Sequence, residues 1–593
     1  MQTSVPADAC LICIHALSAS AATLAQAGAS AANVAQTATS SPPAVGLGAM
    51  CMLILFILGS VWIGVLANRT TEKGGFMKGF FLGNRGLGAW ALALTATIQS
   101  GGTFMGFPSL VYSHGWIVAL WIGSYMVVPI TGFGILGKRL AQLSRRTSAI
   151  TVPDLFRNRF NSPGLGLLCT TFILLYLSFM MFAQFKAGAI VLQLAWPSGG
   201  ELSISEDATA VSDFRYHVGL LIFAVTVVGY TVMGGFLAAV WTDLFQSLLM
   251  FFGVVILLFA SLHAAGGLEQ ATRTSLENTG PGFVFGPGYM RDRSANEFLP
   301  LSLAISFFIV WVWGGVGAPA GLVRLMASQN TSVIRRSIYL LSLYNMGIYL
   351  PLIVICICGR ALIPSLDATN QSDQIIPRMA IMTTSHLPFG SLIAGLILAA
   401  PFGAVMATVS SYLVVLSSGL VRDIYQRLIN PHADRDHLRR AAWIAMIGAG
   451  VISVAVSWHP VAYLQAFIVF STSGAAATFL VPALMACYWR RANAPGVIAA
   501  MVSGALTVLL LYLIGISGIL DVPGQPYIGA ATKFRPYYLL GFEPMLWGLL
   551  ASSIFGTAVS LLTRPLDADV VSRMFDAESS PPATETSSVS TVE

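Results

Sequence analysis

The sequence predicts an all-α membrane protein that crosses the bilayer many times. Of its 593 residues, 56% are hydrophobic and only 9% are charged, whereas soluble globular chains carry about a quarter charged residues. Apolar runs of about 19 residues, long enough for a helix to cross a bilayer, recur along the whole chain. The formal net charge of +6 does not indicate a nucleic-acid partner, because the basic residues lie in loops between the apolar runs.

The apolar runs predict about thirteen transmembrane helices between two polar tails. Residues 1–45 are rich in Ala, Ser and Thr, and residues 564–593 are rich in Ser, Thr, Pro and acidic residues. Both compositions are typical of disordered segments. The predicted spans are 46–66, 87–112, 116–137, 164–194, 217–236, 240–263, 299–322, 338–358, 388–421, 441–458, 462–488, 495–518 and 543–563.

The basic residues predict which side of the membrane each loop faces. With the N terminus outside, 22 of the 31 Lys and Arg residues lie in segments that face inward, 8 lie outside and one, Lys186, lies within a span. Because basic residues accumulate on the cytoplasmic side, we expect an external N terminus and a cytoplasmic C terminus.

The number of spans is compatible with an inverted repeat. After the first span at 46–66, five spans occupy 87–263 and five more occupy 299–488, and two further helices follow at 495–563. Because five is odd, the second set enters the membrane in the opposite orientation to the first. Many secondary transporters have this plan, although the span count alone leaves it open.

Residues 95–108, TATIQSGGTFMGFP, put polar and flexible residues in the middle of an apolar span. Positions 99–103 read Gln-Ser-Gly-Gly-Thr. In transporters with inverted repeats, a helix interrupted at this depth offers free carbonyls to a cation, and irregular backbone is tolerated because it lines a cavity. The alternative is that Gly101, Gly102 and Gly106 only allow close helix packing.

A second polar stretch, GAVMATVSS at 403–411, lies in the ninth span. Thr408, Ser410 and Ser411 place three hydroxyls within about one turn. Neutral oxygens suit a hard monovalent cation and no carboxylate is required. The alternative is that these hydroxyls bond back to the preceding turn of their own helix.

Four stretches together resemble the solute:sodium symporter family, over about residues 46–490. They are SGGTFMGFP (100–108), YTVMGGFLAAVWTDLFQSLLM (230–250), GAPAGLVRLMAS (317–328) and AAPFGAVMATVSSYLVVLSSGLVRDIY (399–425). The loops at 134–160 and 359–380 resemble the sodium/pantothenate symporter subgroup. The resemblance implies a leucine-transporter-type fold, in which two inverted repeats of five helices alternate access to a central site.

The resemblance also implies the residues of the sites. A sodium ion would bind between the first core helix and the ninth span, and a solute beside it. The carried-over sodium positions are Ala96, Gln99, Ala404, Ala407 and Thr408. The solute positions on the first core helix are Ser100, Gly101, Gly102 and Thr103.

The sequence allows two roles for each of three other residues, Asp243, Trp311 and Trp313. Asp243 matches an acidic residue on the family's sodium exit path, but Asp243 or Thr242 could instead cap the start of the sixth span. Trp311 and Trp313 could line the solute cavity or serve as packing.

Ala407 departs from the family, which usually has Ser there. One side-chain oxygen of the expected sodium site is lost, while Thr408 and three carbonyls remain. The sequence therefore leaves open whether sodium or a proton drives transport.

Lys186 is the second departure, because the resemblance to the pantothenate subgroup implies an apolar residue here. An ionisable residue within a span points to function and needs a partner. The spans contain no Asp or Glu near mid-membrane. Lys186 could therefore contact a substrate carboxylate, extend its amine to the outer interface, or lose its charge.

These observations predict a sodium:solute symporter of the inner membrane, not an enzyme, with sodium as coupling ion and no other cofactor. Its solute would be a small organic anion or zwitterion, and a monocarboxylate such as pantothenate fits best. A proton-coupled or sodium-independent carboxylate transporter is the main alternative. A sensor or channel is less favoured, because the tails are short and one interrupted helix supplies no continuous polar stripe. The oligomeric state and the stoichiometry stay open.

Overall fold

Helices form nearly all of the structure, a computed structural model in which residues 46–71, 76–96, 100–197, 206–284, 300–366, 371–459, 464–520 and 534–575 are described. Within these ranges the non-helical pairing is one isolated bridge between Leu87 and Ser328. The N-terminal tail expected at 1–45 and residues 576–593 lie outside the described residues.

The first half of the chain contains helices α1 to α10. Two of them begin at polar caps, where the side chains of Thr151 and Ser162 accept hydrogen bonds from backbone N–H groups of the first turn. The helices are α1 (Leu47–Thr71), α2 (Phe76–Leu82), α3 (Ala89–Ala96), α4 (Phe107–His114), α5 (Ala119–Val128), α6 (Lys138–Arg146), α7 (Val152–Phe160), α8 (Pro163–Ala195), α9 (Glu206–Ala264) and α10 (Leu268–Thr279).

The second half contains helices α11 to α20. Asn330 and Asn493 cap two of these helices in the same way. The helices are α11 (Leu301–Gly317), α12 (Pro319–Met326), α13 (Thr331–Leu362), α14 (Ile375–Thr384), α15 (Gly390–Ser418), α16 (Arg435–Ser457), α17 (Leu464–Tyr488), α18 (Ala494–Ser517), α19 (Pro544–Leu562) and α20 (Ala568–Phe575).

Nine of the described helices are long and apolar enough to cross a membrane, or up to eleven if each of two bent helix pairs is one span. One of the nine covers 52 residues, Asp213–Ala264, which is about 78 Å of helix, against a bilayer core of about 30 Å. Gly235, at φ 56° and ψ −142°, divides it, so it has room for two predicted spans. The count of thirteen and the orientation stay predictions.

The burial of the spans shows which helices form the centre of the bundle. In the most apolar window of each, 83% of residues are buried for Gly390–Ile429 and 78% for α17, but only 28% for α1, α16 and α19. The polar stretch at 403–411 is therefore enclosed by other helices. The three exposed helices present the apolar surface that faces lipid.

The short helix α20 lies within the tail 564–593 that we expected to be disordered, so this expectation is wrong for its residues. An Arg146 guanidinium N–H donates to the Met574 carbonyl at 2.5 Å, and the Arg159 guanidinium lies 5.1 Å from the Phe575 ring centroid. Burial lowers the pKa of Arg159 to about 10, so it stays charged at neutral pH. These contacts to loop arginines order a segment whose composition is that of a flexible tail.

Candidate transport site

The first core helix is interrupted at the predicted depth. Helix α3 is described as far as Ala96, and residues 97–99, which include the expected sodium ligand Gln99, lie outside the described residues. Ser100 is not helical, a helical segment begins at Gly101, and a wide π-helical turn covers Gly102–Gly106. A non-helical residue thus lies within the polar stretch, as the broken-helix interpretation predicts.

A second interruption lies at the corresponding position of the second set of five spans. Helix α11 ends at Gly317, α12 begins at Pro319, and their axes differ by 44°. Ala318 between them has φ −66° and ψ 123°, an extended conformation, because a residue before proline is disfavoured in the helical region. Interrupted helices at matching positions of two halves are typical of an inverted repeat.

A glutamine from helix α8 satisfies the backbone at the first interruption. The Gly101 N–H donates to Oε1 of Gln184 at 2.7 Å, and both atoms are buried. Nearby, the Gly102 N–H donates to Oγ of Ser100 at 3.1 Å, and the Ser100 N–H donates to Oγ1 of Thr103 at 3.3 Å. Side chains thus replace helical hydrogen bonds where they are lost.

The glycines at the interruption also permit close packing. A Cβ atom at Gly101 would lie 2.9 Å from Cβ of Ala187 on α8 and 3.4 Å from a methyl group of Val405 on α15. At Gly106 it would lie 1.9 Å from Oε1 of Gln465 on α17. The two interpretations of these glycines are therefore compatible, since the chain is interrupted here and is also closely surrounded.

The expected sodium residues on α15 are buried beside this interruption. The Thr408 hydroxyl donates to the carbonyl of Ala404 at 3.0 Å, and the Ser410 hydroxyl donates to that of Ala407 at 3.0 Å. These two hydroxyls bond back to their own helix, as the alternative interpretation predicts, whereas the Ser411 hydroxyl contacts Arg324 and Asp243. A hydroxyl oxygen that donates its proton keeps lone pairs that can bind a cation, so the bond does not exclude ion binding.

A cavity of about 100 Å³ adjoins the interruption. A cavity that holds one water has a volume of about 10–15 Å³, so this one has room for several waters or a small solute. The expected solute residues Ser100, Gly102 and Trp311 line it, whereas Gly101, Thr103, Lys186 and Trp313 do not. Its other lining residues are Phe107, Tyr125, Val128, Met180, Gly314, Gly315, Ala318, Ala320, Gly321, Tyr349, Tyr412, Ile468 and Thr472.

Aromatic rings form one wall of this cavity. Tyr125 stacks on Trp311 with ring centroids 5.5 Å apart and on Tyr349 with centroids 4.3 Å apart. The Tyr349 hydroxyl lies 3.3 Å from Oγ1 of Thr103, which connects Thr103 to the wall. Among the described residues, the buried Nε1 of Trp311 has no hydrogen-bond acceptor.

Asp243 lies in a buried polar cluster. An Arg324 guanidinium N–H donates to its Oδ2 at 2.5 Å and to Oγ of Ser411 at 2.5 Å. Helix α9 runs continuously past this point, and the Thr242 hydroxyl donates to the carbonyl of Ala238, one turn earlier. The capping interpretation is therefore wrong. Oδ1 of Asp243 has no hydrogen-bond partner within the described part of the chain.

Lys186 is paired with a carboxylate of the protein itself. Its Nζ lies 3.4 Å from Oδ2 of Asp373, and the two side chains are 10% and 6% exposed. Asp373 lies in the loop between α13 and α14, outside the spans. The three interpretations of Lys186 drawn from the sequence did not include a carboxylate of the protein itself, and this structure supplies one. Burial raises the pKa of Asp373, and the charge of Lys186 opposes this effect.

The sequence analysis missed several of these contacts for physical reasons. Gln184 was recognisable as an uncharged polar residue in an apolar span, a position that requires a hydrogen-bond partner. The pairing of Arg324 with Asp243, and of Asp373 with Lys186, joins residues 81 and 187 positions apart. Only the packed bundle brings such residues together.

The sequence profile of the Sodium:solute symporter family matches residues 80–504. The sodium/pantothenate symporter of Escherichia coli (strain K12) is 29% identical over 523 residues, which are 86% of this chain and 97% of the relative. That of Haemophilus influenzae is 31% identical over 484 residues, 80% and 92% of the two chains. A sodium/proline symporter of Staphylococcus aureus (strain JH9) is 27% identical over 468 residues, 77% and 85% of the two chains.

A solved structure shares the fold. The substrate-bound, outward-open structure of a Na+-coupled sialic acid symporter superposes with a TM-score of 0.62 at 19% identity, and the match covers 88% of this chain and 99% of that one. The relatives are transporters and not enzymes. With a family match over most of its length and a shared fold, the chain belongs to the sodium:solute symporter family.

Proposed function

We propose that this protein is a sodium-coupled symporter of the inner membrane that imports a small monocarboxylate such as pantothenate. The observation that carries the proposal is the non-helical Ser100, beside which Gly101 lies close to Val405 of α15. This proximity brings the interruption and the hydroxyl-bearing stretch of α15 to one buried place. Such neutral oxygens suit sodium.

The sodium ion would bind between these two helices. Its ligands would be the carbonyls of Ala96, Gln99 and Ala404 and the hydroxyl of Thr408. Ala407, next to them, contributes no side-chain oxygen. The ion would then have about four protein oxygens, and water or a solute oxygen would complete its shell.

The solute would occupy the cavity beside the interruption. Ser100, Gly102 and Trp311 line it together with three tyrosines, Thr472 and apolar residues. A small solute with an apolar body and a few hydrogen-bonding groups fits such a lining. Gly101 and Thr103 would act indirectly, since they shape the interruption and hold Tyr349.

Asp243 would lie on the path by which sodium leaves toward the cytoplasm. Its Oδ2 is held by Arg324 and Ser411, while Oδ1 has no hydrogen-bond partner among the described residues. Because Oδ2 is held in place and Oδ1 makes no hydrogen bond, the carboxylate could contact a passing cation transiently through Oδ1.

Coupling would be thermodynamic. If sodium and solute both bind better to the outward-facing state, each raises the affinity for the other by the same factor. The sodium gradient then drives uptake without any covalent step. The two sodium/pantothenate symporters among the relatives support this choice of ion and solute.

Uptake into proteoliposomes tests the proposal. Purified protein would be given radiolabelled pantothenate, proline or sialic acid, with an inward sodium gradient or an inward proton gradient imposed separately. We expect pantothenate to accumulate with the sodium gradient alone. Protein-free liposomes and a collapsed gradient are the controls.

Ala407 favours one alternative, the use of protons in place of sodium. In that case, pantothenate would accumulate with the proton gradient and not with the sodium gradient. Accumulation of proline or sialic acid in place of pantothenate would instead contradict the proposed solute.

A further inference from the structure

The loop that carries Asp373 connects three helices of the core. Oδ2 of Asp373 accepts the backbone N–H of Leu464, at the start of α17, at 3.3 Å. The neighbouring Ser372 hydroxyl lies 2.7 Å from that of Ser109 on α4. Together with the ion pair to Lys186 on α8, these bonds join the loop to α4, α8 and α17. In the predicted orientation, all of these groups lie on the outer side.

Lys186 lies close to the interruption of the first core helix. Its neighbour Ala187 would touch a Cβ atom at Gly101, and Gln184, two residues earlier, accepts the Gly101 N–H. In this structure the carboxylate of Asp373 forms an ion pair with the Lys186 ammonium. The neighbouring Ser372 contacts Ser109 on α4, the continuation of this core helix.

We propose that Asp373 and the carboxylate of an incoming solute bind Lys186 in turn. This inference rests on the proposed function, since it requires a solute with a carboxylate. With the outer path open, the solute carboxylate pairs with Lys186; with the path closed, Asp373 does. Lys186 is thus a specificity-determining residue for anionic solutes, and Asp373 is the group that replaces them.

The physical reason is the cost of an unpaired buried charge. Residues 372 and 373 bond to both α4 and α17, so a separation of these helices that opens the outer side also moves Asp373. An ammonium with 10% of its side chain exposed is poorly hydrated, so it favours any carboxylate that can replace the one removed. When the solute moves on into the cavity, the return of Asp373 neutralises Lys186 again and closes the path.

Binding measurements with two ligands test this exchange. The probes are radiolabelled pantothenate and its neutral alcohol analogue, in which a hydroxymethyl group replaces the carboxylate, bound to purified full-length protein in sodium. The readout is the ratio of the two Kd values. We expect Lys186→Gln to reduce the preference for the carboxylate by about tenfold, with little change for the alcohol. Asp373→Asn should increase that preference, because Lys186 then has no competing carboxylate.

Control variants separate this role from general damage. Arg273→Gln removes a charge from the exposed surface of α10, where Arg273 is paired with Glu269, and should leave the ratio unchanged. The double variant Lys186→Gln/Asp373→Asn removes both charges, leaves no buried charge unpaired, and should show the low ratio of Lys186→Gln. Sodium-dependent binding of the alcohol reports that each variant is folded.

The results that overturn the exchange are distinct from those that overturn the proposed function. If Lys186→Gln and the double variant both keep the wild-type ratio, Lys186 does not bind the solute carboxylate. If Asp373→Asn lowers the ratio or leaves it unchanged, Asp373 does not compete with the solute. Failure of the wild-type protein to transport any carboxylate would overturn the proposed function instead.

Discussion

Ala407 is the residue that most directly affects the strength of the proposed sodium site. Its side chain is buried, with 4% of the residue exposed, and it lies one helical turn after Gly403. The next residue, Thr408, donates its hydroxyl to the Ala404 carbonyl. Both of these oxygens are expected sodium ligands. A serine here would add one oxygen to the site. The wild-type chain has a methyl group, so sodium would be bound more weakly than in family members with both hydroxyls.

We therefore expect Ala407→Ser to increase sodium affinity. One added oxygen ligand worth about 1 kcal/mol corresponds to roughly a fivefold lower sodium concentration at half-maximal uptake. Ala400→Ser, on the same buried helix but two turns earlier, is the matched control and should have no effect on sodium dependence. An unchanged sodium dependence in Ala407→Ser would place the ion elsewhere.

At the scale of elements, helix α9 depends on a single glycine. Gly235 has φ 56° and ψ −142°, and a Cβ atom there would lie 2.7 Å from the ring and 2.8 Å from the carbonyl oxygen of Phe80. The backbone conformation and the close contact both require a residue without a side chain. This glycine divides a segment too long for one span and brings α9 against α2.

Gly235→Ala should destabilise the folded protein. The strained conformation costs about 1–3 kcal/mol for a residue with a side chain, and the contact with Phe80 adds to that. Gly229→Ala is the matched control, because it lies on the same helix with no atom within 4 Å of its would-be Cβ. The measurement is the Tm of purified protein in detergent. Equal Tm values for the two variants would contradict this role of Gly235.

The sequence predicted the elements better than the contacts between them. The interruption at Ser100 was predictable, because polar and flexible residues within an apolar span weaken the helix locally. The Ala318-Pro319 pair is a local signal for the second interruption. Its importance follows only from the structure, in which it lies in the first helix of the second set of spans, as Ser100 does in the first set. By contrast, Asp373 lies in a loop, and no local pattern predicts that a loop carboxylate will reach Lys186.

At the scale of the whole molecule, two buried ion pairs lie on opposite sides of the cavity in the predicted orientation. Lys186 and Asp373 form one on the outer side, and Asp243 and Arg324 form one on the inner side. Each pair joins different helices or loops, so relative motion of these elements must break or rearrange them.

The most direct test of the central claim is equilibrium binding of radioactive sodium to the purified protein, with and without saturating pantothenate. If one protein state binds both, pantothenate must raise sodium affinity by the same factor by which sodium raises pantothenate affinity. We expect this reciprocity in the wild-type protein, and we expect Thr408→Ala to weaken sodium binding. Sodium binding that pantothenate does not change, or that Thr408→Ala leaves intact, would contradict a coupled site at the interrupted helix.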